Sequence, residues 1–161
     1  MHTLIQRFHT ISTQPFERVI ARLEAAVGHP DIHTFQKEMA AANTHDELKQ
    51  IVHNAVGPSG LIEFVRFNIG VVNRRVQNTE TPRSIRFLIG NPLIMQSMVV
   101  HVPDAASYAP VTILIDERLD GVRLSYDKMV GFLTPYGNAQ ALKVAQELDN
   151  KIEALLTAAS L

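Results

Sequence analysis

Three groups of residues have the types and spacings from which binding or proton transfer is built. The first is Gly90-Asn91-Pro92, set between an apolar run and an apolar amphipathic segment. Gly90 permits a turn at a strand end, the Asn91 side-chain oxygen can accept the free N–H groups of a helix start, and Pro92 suits the first helical position. The same N–H groups, at the positive end of the helix dipole, also describe an anion site, with Arg86 as a further donor if its side chain faces that helix start. The second group is His101, Tyr126 and Asp127, an imidazole, a phenol and a carboxylate that could exchange protons or hold a ligand if they converge. Their structural accounts are equally concrete: His101 complements a helix C-terminus, and Tyr126 packs at the core edge with its hydroxyl bonded to backbone. The third group is the seven histidines, of which His29 and His33 share a helix face if the helix is continuous there. No third ligand stands at a recognisable spacing, so no metal site is expected.

Composition narrows the classes. A chain of 161 residues, 46% of them hydrophobic, can bury one sizeable core, and one domain spanning residues 1–161 is expected. Lys and Arg number 15 against 16 Asp and Glu, leaving no broad basic field for nucleic acid. Cysteine is absent, which removes thiol nucleophiles and thiolate metal sites and fits a reducing compartment. No run approaches the ~18 apolar residues of a membrane span, and the first residues lack a charged segment followed by a long apolar one. A soluble, cytoplasmic protein without membrane contact is the expectation. No serine sits in a Gly-x-Ser-x-Gly setting, and "GLIEFVRFNIG" is neither a phosphate loop nor a dinucleotide fingerprint, so no cofactor is expected.

The elements that must position these residues follow from periodicity. Leu4 to Ile11 reads as a strand; Ser12 or Thr13 then offers a cap, and Phe16, Val19, Ile20, Leu23 and Val27 form the stripe of a helix ending near Gly28. Ile32, Phe35, Gln36 and Met39 predict a short second helix. Thr44 with Glu47 forms a capping box before Leu48, Ile51, Val52 and Val56, and "VGPSG" ends that third helix. Leu61 to Phe67 predicts a strand, extended with less support to Val76, and Gln77 to Ser84 a polar turn. Ile85 to Ile89 is a strand, and the residues from Leu93 to Val102 a helix. Val111 to Ile115 and Val122 to Tyr126 pair as a hairpin, with Asp120-Gly121 tolerating positive φ. From Asn138, Leu142, Ala145, Leu148, Ile152 and Leu155 mark a long closing helix, with Glu147 and Lys151 paired on its other face. Strand, helices, about four strands and a long helix make an α+β layer.

"RFLIGNPLIMQSM" and "YAPVTILIDERLDGVRLSYDKM" resemble the DUF302 family, in which a strand runs into a Gly-Asn-Pro turn, a proline precedes an apolar strand and a hairpin ends in Ser-Tyr. The matching residues are Gly90, Asn91, Pro92, Pro110, Ser125 and Tyr126. Asn68 stands where members often carry Asp, and an amide cannot replace a titrating base there. The stretch from His29 to Ser59 is longer than in compact members. The resemblance implies a TATA-binding-protein-like α+β fold, β-α-β(4)-α, with an antiparallel sheet packed against helices, an extra helical segment after the first helix, and a homodimer. It implies no activity.

Three readings follow. The first is a non-enzymatic module holding a small apolar or anionic ligand near Arg86, Gly90, Asn91, Pro92, His101, Tyr126 and Asp127. The second is an enzyme using His101, Tyr126 and Asp127 for proton transfer, and the third a structural or partner-binding dimer subunit. The helical segment from Pro30 to Val56 is expected to cover the sheet edge or a pocket.

Overall fold

A computed structural model describes residues 1–80 and 82–161. The strands are β1 (Arg7–Ser12), β2 (Ile62–Phe67), β3 (Ser84–Gly90), β4 (Val111–Arg118) and β5 (Gly121–Asp127). They form one antiparallel sheet in the order β1-β5-β4-β3-β2. The helices are α1 (Phe16–Ala26), α2 (Ile32–Ala41), α3 (His45–Ala55), α4 (Gly70–Gln77), α5 (Pro92–Val99), α6 (Met129–Leu133) and α7 (Ala139–Ser160). The α+β class and the sheet packed against helices are as expected.

Alternation along the strands decides which face is covered. Phe87, Ile89, Ile113, Ile115, Leu124 and Tyr126 point to one face and meet α1, α5 and α7 in the main core. Between them Arg86 and Thr112 are exposed, and Leu88, Leu114 and Asp127 half-buried, on a face the main core leaves open. The stripe read in α1 buries Phe16, Val19, Ile20 and Leu23 as its spacing requires. Its cap differs from the expectation: Ser12 Oγ accepts the N–H of Gln14, and no side chain caps the helix, because Pro15 stands at the cap position. β1 also starts three residues later than Leu4.

The segment after α1 forms the expected helix pair. Asp31 caps α2, and His29 precedes that cap, so His29 and His33 do not share a helix face. Thr44 caps α3 through the N–H of Glu47, while the Glu47 carboxylate reaches the N–H of Asn43 in place of Thr44. Phe35 and Val52 make a small core with Ile62 that is separate from the main one. At the base of the pair Gly28 forms a parallel bridge with Ile62. A Cβ on Gly28 would lie 1.8 Å from the Ala55 carbonyl oxygen, so only glycine allows the two ends of the segment to pass so closely.

Four expectations need correction. Gly70–Gln77 is helix, because Val72 and Val76 lie one helical turn apart and Asn78, at φ 52°, closes the helix in the left-handed region. The predicted turn from Gln77 to Ser84 therefore begins as the last turn of α4; Thr81 in it lies outside the described residues. In the β4–β5 hairpin Arg118 faces Gly121, leaving Leu119 and Asp120 as the loop, and Gly121 alone takes positive φ. Lys151 donates to the Ser59 carbonyl at 3.0 Å, which ties α7 to the chain before β2 in place of the Glu147 pair.

One buried carboxylate joins α7 to the rest. Asp149 is 0% exposed and accepts the Tyr126 hydroxyl at 2.6 Å, the Met129 N–H at 2.7 Å and the Val130 N–H at 3.1 Å. It thereby fixes the last residues of β5 and supplies acceptors for the free N–H groups at the start of α6. Burial pushes its carboxyl upward in pKa, while these donors and the nearby Lys128 ammonium hold it back. Asp149→Ala removes the acceptor of the Tyr126 hydroxyl and of the Val130 N–H, leaving the Met129 N–H only the Tyr126 hydroxyl oxygen at 3.2 Å, and should lower unfolding free energy by about 3 kcal/mol, with Tyr126→Phe costing about 1 kcal/mol, as read by urea denaturation. Equal, small losses for both would mean the carboxylate is not the tie.

Candidate functional site

β3 delivers its last residue, Gly90, opposite Ile62 of β2 and against the segment that begins β4. A Cβ on Gly90 would stand 3.2 Å from Pro110 Cβ, so the residue is small because Pro110 is there. Its φ is not positive, which replaces the turn expected from sequence with a close approach. Asn91 then does two things. Its Oδ1 accepts the N–H of Leu93 at 2.8 Å and of Ile94 at 3.4 Å, and its Nδ2 donates to the Gly60 carbonyl at 3.0 Å. Pro92, at the first helical position, has no N–H to offer, and the Met95 N–H bonds the Asn91 carbonyl. Every donor at this helix start is thus engaged, and the structural account holds for Asn91 and Pro92.

Beside this helix start lies a cavity of about 160 Å³. Met39 of α2, Phe64 of β2, Met95 and Met98 of α5, Pro110 and Leu148 of α7 line it, together with Gly90, Asn91 and Pro92. The extra helical segment meets the sheet edge and the cavity: Phe35 and Val52 pack on Ile62 of the edge strand β2, and Met39 lines the cavity.

Across the Ala109-Pro110-Val111 wall a second, larger cleft of about 500 Å³ opens on the uncovered face of the sheet. Arg86, Thr112 and Asp127 line it from the strands, and Ser107, Tyr108 and Phe132 from the segments around them. Tyr108 stacks on Phe132 at 4.8 Å. The Tyr108 hydroxyl meets that of Tyr136, which in turn donates to Asp104 Oδ2 at 2.8 Å. The bonds to Tyr108 and Asp104 raise the Tyr136 pKa.

The residues expected from sequence are thus divided. Gly90, Asn91 and Pro92 border the apolar cavity; Arg86 and Asp127 border the cleft, so Arg86 does not serve the helix start. Asp127 accepts Arg7 through both oxygens, at 2.7 and 2.8 Å. Tyr126 is 1% exposed, in the main core, and burial with the adjacent Asp149 carboxylate pushes its phenol far up in pKa. His101 is exposed, just past α5. The structure does not bring His101, Tyr126 and Asp127 into one cleft. Among the described residues no three His, Asp or Glu side chains gather as a metal would need.

Two contributors escaped the sequence reading. Asp149 sits in the buried stripe of α7 with Ala145, Ile152 and Leu156; a carboxylate on an apolar helix face was the signal available. Met39 reads from sequence only as part of the α2 stripe, since nothing local tells a cavity wall from a packed side chain. The double role of Asn91 gives a separable prediction. Asn91→Asp keeps the cap and loses the donor to Gly60, whereas Asn91→Ala loses both. Thermal or urea unfolding should give about 1 kcal/mol for Asp and about 2 kcal/mol for Ala.

No curated protein matches this chain. In fold it is similar to the crystal structure of an uncharacterized conserved protein DUF302 from Bacillus stearothermophilus, at a TM-score of 0.64 and 9% identity, covering 95% of this chain and 97% of that one. No helix among the described residues is long and apolar enough to cross a membrane. The model of the family described as "Domain of unknown function DUF302" matches residues 35–159, and the chain belongs to that family.

Proposed function

We propose that the protein is a non-enzymatic binding module whose ligand is a small apolar molecule or apolar chain end held in the cavity beside α5. The observation that carries this reading is the contrast between the cavity's side chains and its polar atoms. Its walls are methionine, proline, phenylalanine and aliphatic groups, while both ends of the Asn91 amide are already bonded. An anion would find no free N–H at the helix start, so the apolar alternative is favoured over the anionic one. An apolar cavity of ~150 Å³ stays dry and admits a benzene-sized guest, which sets the size of the occupant. Methionines suit such a wall because an unbranched thioether adapts to different guests. Proton transfer has no comparable support, since Tyr126 and Asp127 are each committed to another partner. The cysteine-free composition supports a reducing, cytoplasmic setting.

Methionine methyl NMR tests the reading directly. Toluene should shift Met39, Met95 and Met98 saturably, with a Kd of about 1 mM or below, and leave the exposed Met1 unmoved. Met95→Phe, which narrows the cavity, should weaken binding at least about fivefold. Unsaturable shifts, or equal binding by that variant, would oppose the assignment.

A homodimer through the outer edge of β2 is the second part of the proposal. β2 is an edge strand, bridged by Gly28 only at Ile62; its Val65 and Phe67 are 39% and 47% exposed, and Val72 and Val76 of the following α4 are exposed as well. An exposed apolar edge of this kind is a template for a second copy. Sedimentation equilibrium should read a dimer at tens of micromolar and a monomer for Phe67→Lys; a monomeric wild type at the highest concentration would overturn it.

A further inference from the structure

Each of the five strands carries one arginine, and four of them have carboxylate partners. Arg7 pairs with Asp127, Arg66 with Glu24 and Glu63, Arg118 with Asp116, and Arg123 with Asp120. Arg86, on β3 beside the edge strand β2, has no ion pair among the described residues. Its guanidinium carbon lies 5.7 Å from the Phe67 ring centre, and its side chain forms part of the cleft on the uncovered face.

The surroundings of Arg86 say what it could hold. Ser107 and Thr112, both exposed, add hydroxyls to the same cleft, and neither hydroxyl has a hydrogen-bond partner among the described residues. Asp127, the only carboxylate lining the cleft among the described residues, is neutralised by the two-pronged contact with Arg7. Leu88, Pro110 and Phe132 give the cleft its apolar lining, with Phe132 held in place by its stack on Tyr108. From these positions we infer that the cleft is a second binding site, independent of the apolar cavity, for a small monocarboxylate with an aromatic or apolar body. The planar guanidinium fork matches the two oxygens of a carboxylate, and the hydroxyls supply donors beside it. The ring or chain lies against Leu88 and Phe132. A single unpaired cation balances one negative charge. A phosphate dianion would be left with uncompensated charge facing Asp127. The cleft volume of about 500 Å³ lies in the range of small-molecule sites.

Benzoate is the probe, with benzyl alcohol as its uncharged counterpart and inorganic phosphate as the dianionic control, each titrated into isotope-labelled protein and followed by NMR. Benzoate should shift the amides of Ser107, Tyr108 and Thr112 saturably, bind at least tenfold more tightly than benzyl alcohol or phosphate, and weaken as salt is raised. Arg86→Gln should reduce benzoate affinity at least tenfold, Arg86→Lys by less, and Thr112→Val about threefold. Arg86 and Thr112 are exposed, so these variants should keep the wild-type circular dichroism spectrum. Met95→Phe, which narrows the other cavity, should leave benzoate binding unchanged; this separates the fate of the two sites. Four results would each overturn the inference: no saturable benzoate binding, equal affinity for benzyl alcohol, tighter binding of phosphate, or shifts confined to Met39, Met95 and Met98.

Discussion

The contact on which the arrangement depends is the buried Asp149 carboxylate. It draws the Tyr126 hydroxyl from the last strand and two backbone N–H groups from the start of α6 onto α7. A buried charge is tolerated only when donors surround it, and these donors come from two other elements, so satisfying Asp149 also sets where α7 lies. Its neighbour in sequence, Leu148, then forms one wall of the apolar cavity. The position of that wall is a consequence of an electrostatic requirement one residue away. α7 is tied a second time by Lys151 to the Ser59 carbonyl, just ahead of β2.

The segment from Ser107 to Val111 has a comparable role for the sites. Pro110 meets Gly90 from one side, and the Ala109-Pro110-Val111 backbone separates an apolar cavity among helices from a polar cleft on the open sheet face. The two spaces differ in chemistry because strand alternation sends successive side chains to opposite faces. Ile89 and Phe87 feed the core, whereas Arg86 and Leu88 feed the open side. The same rule puts Tyr126 in the core and Asp127 outside it, although they are adjacent in the chain.

That rule also explains what could be read in advance. Helices α1, α3, α5 and α7 were legible because stripes and caps are local: Thr44, Asn91 and Asn138 accept the N–H groups their positions predict. The strands were legible from β-branched and aromatic runs, and the same preference made Val71 and Val72 in α4 look extended. The site was half legible. Gly90, Asn91 and Pro92 do border a cavity, but Met39, Phe64, Pro110 and Leu148, which also wall it, are brought there only by the tertiary fold. The grouping of His101, Tyr126 and Asp127 failed for the simplest reason: neighbours on a strand face opposite ways, and sequence proximity hides it. Asp149 went unread because its partners lie 19 to 23 residues away in the chain.

The central claim is that the space beside α5 is a dry, apolar binding cavity and not a solvated crevice at a helix start. Diffraction from crystals held under xenon pressure tests it most directly. The account predicts xenon density among Met39, Met95, Met98 and Leu148, with no ordered water there before pressurisation. Ordered water bonded to Asn91, with xenon excluded from that space, would contradict it.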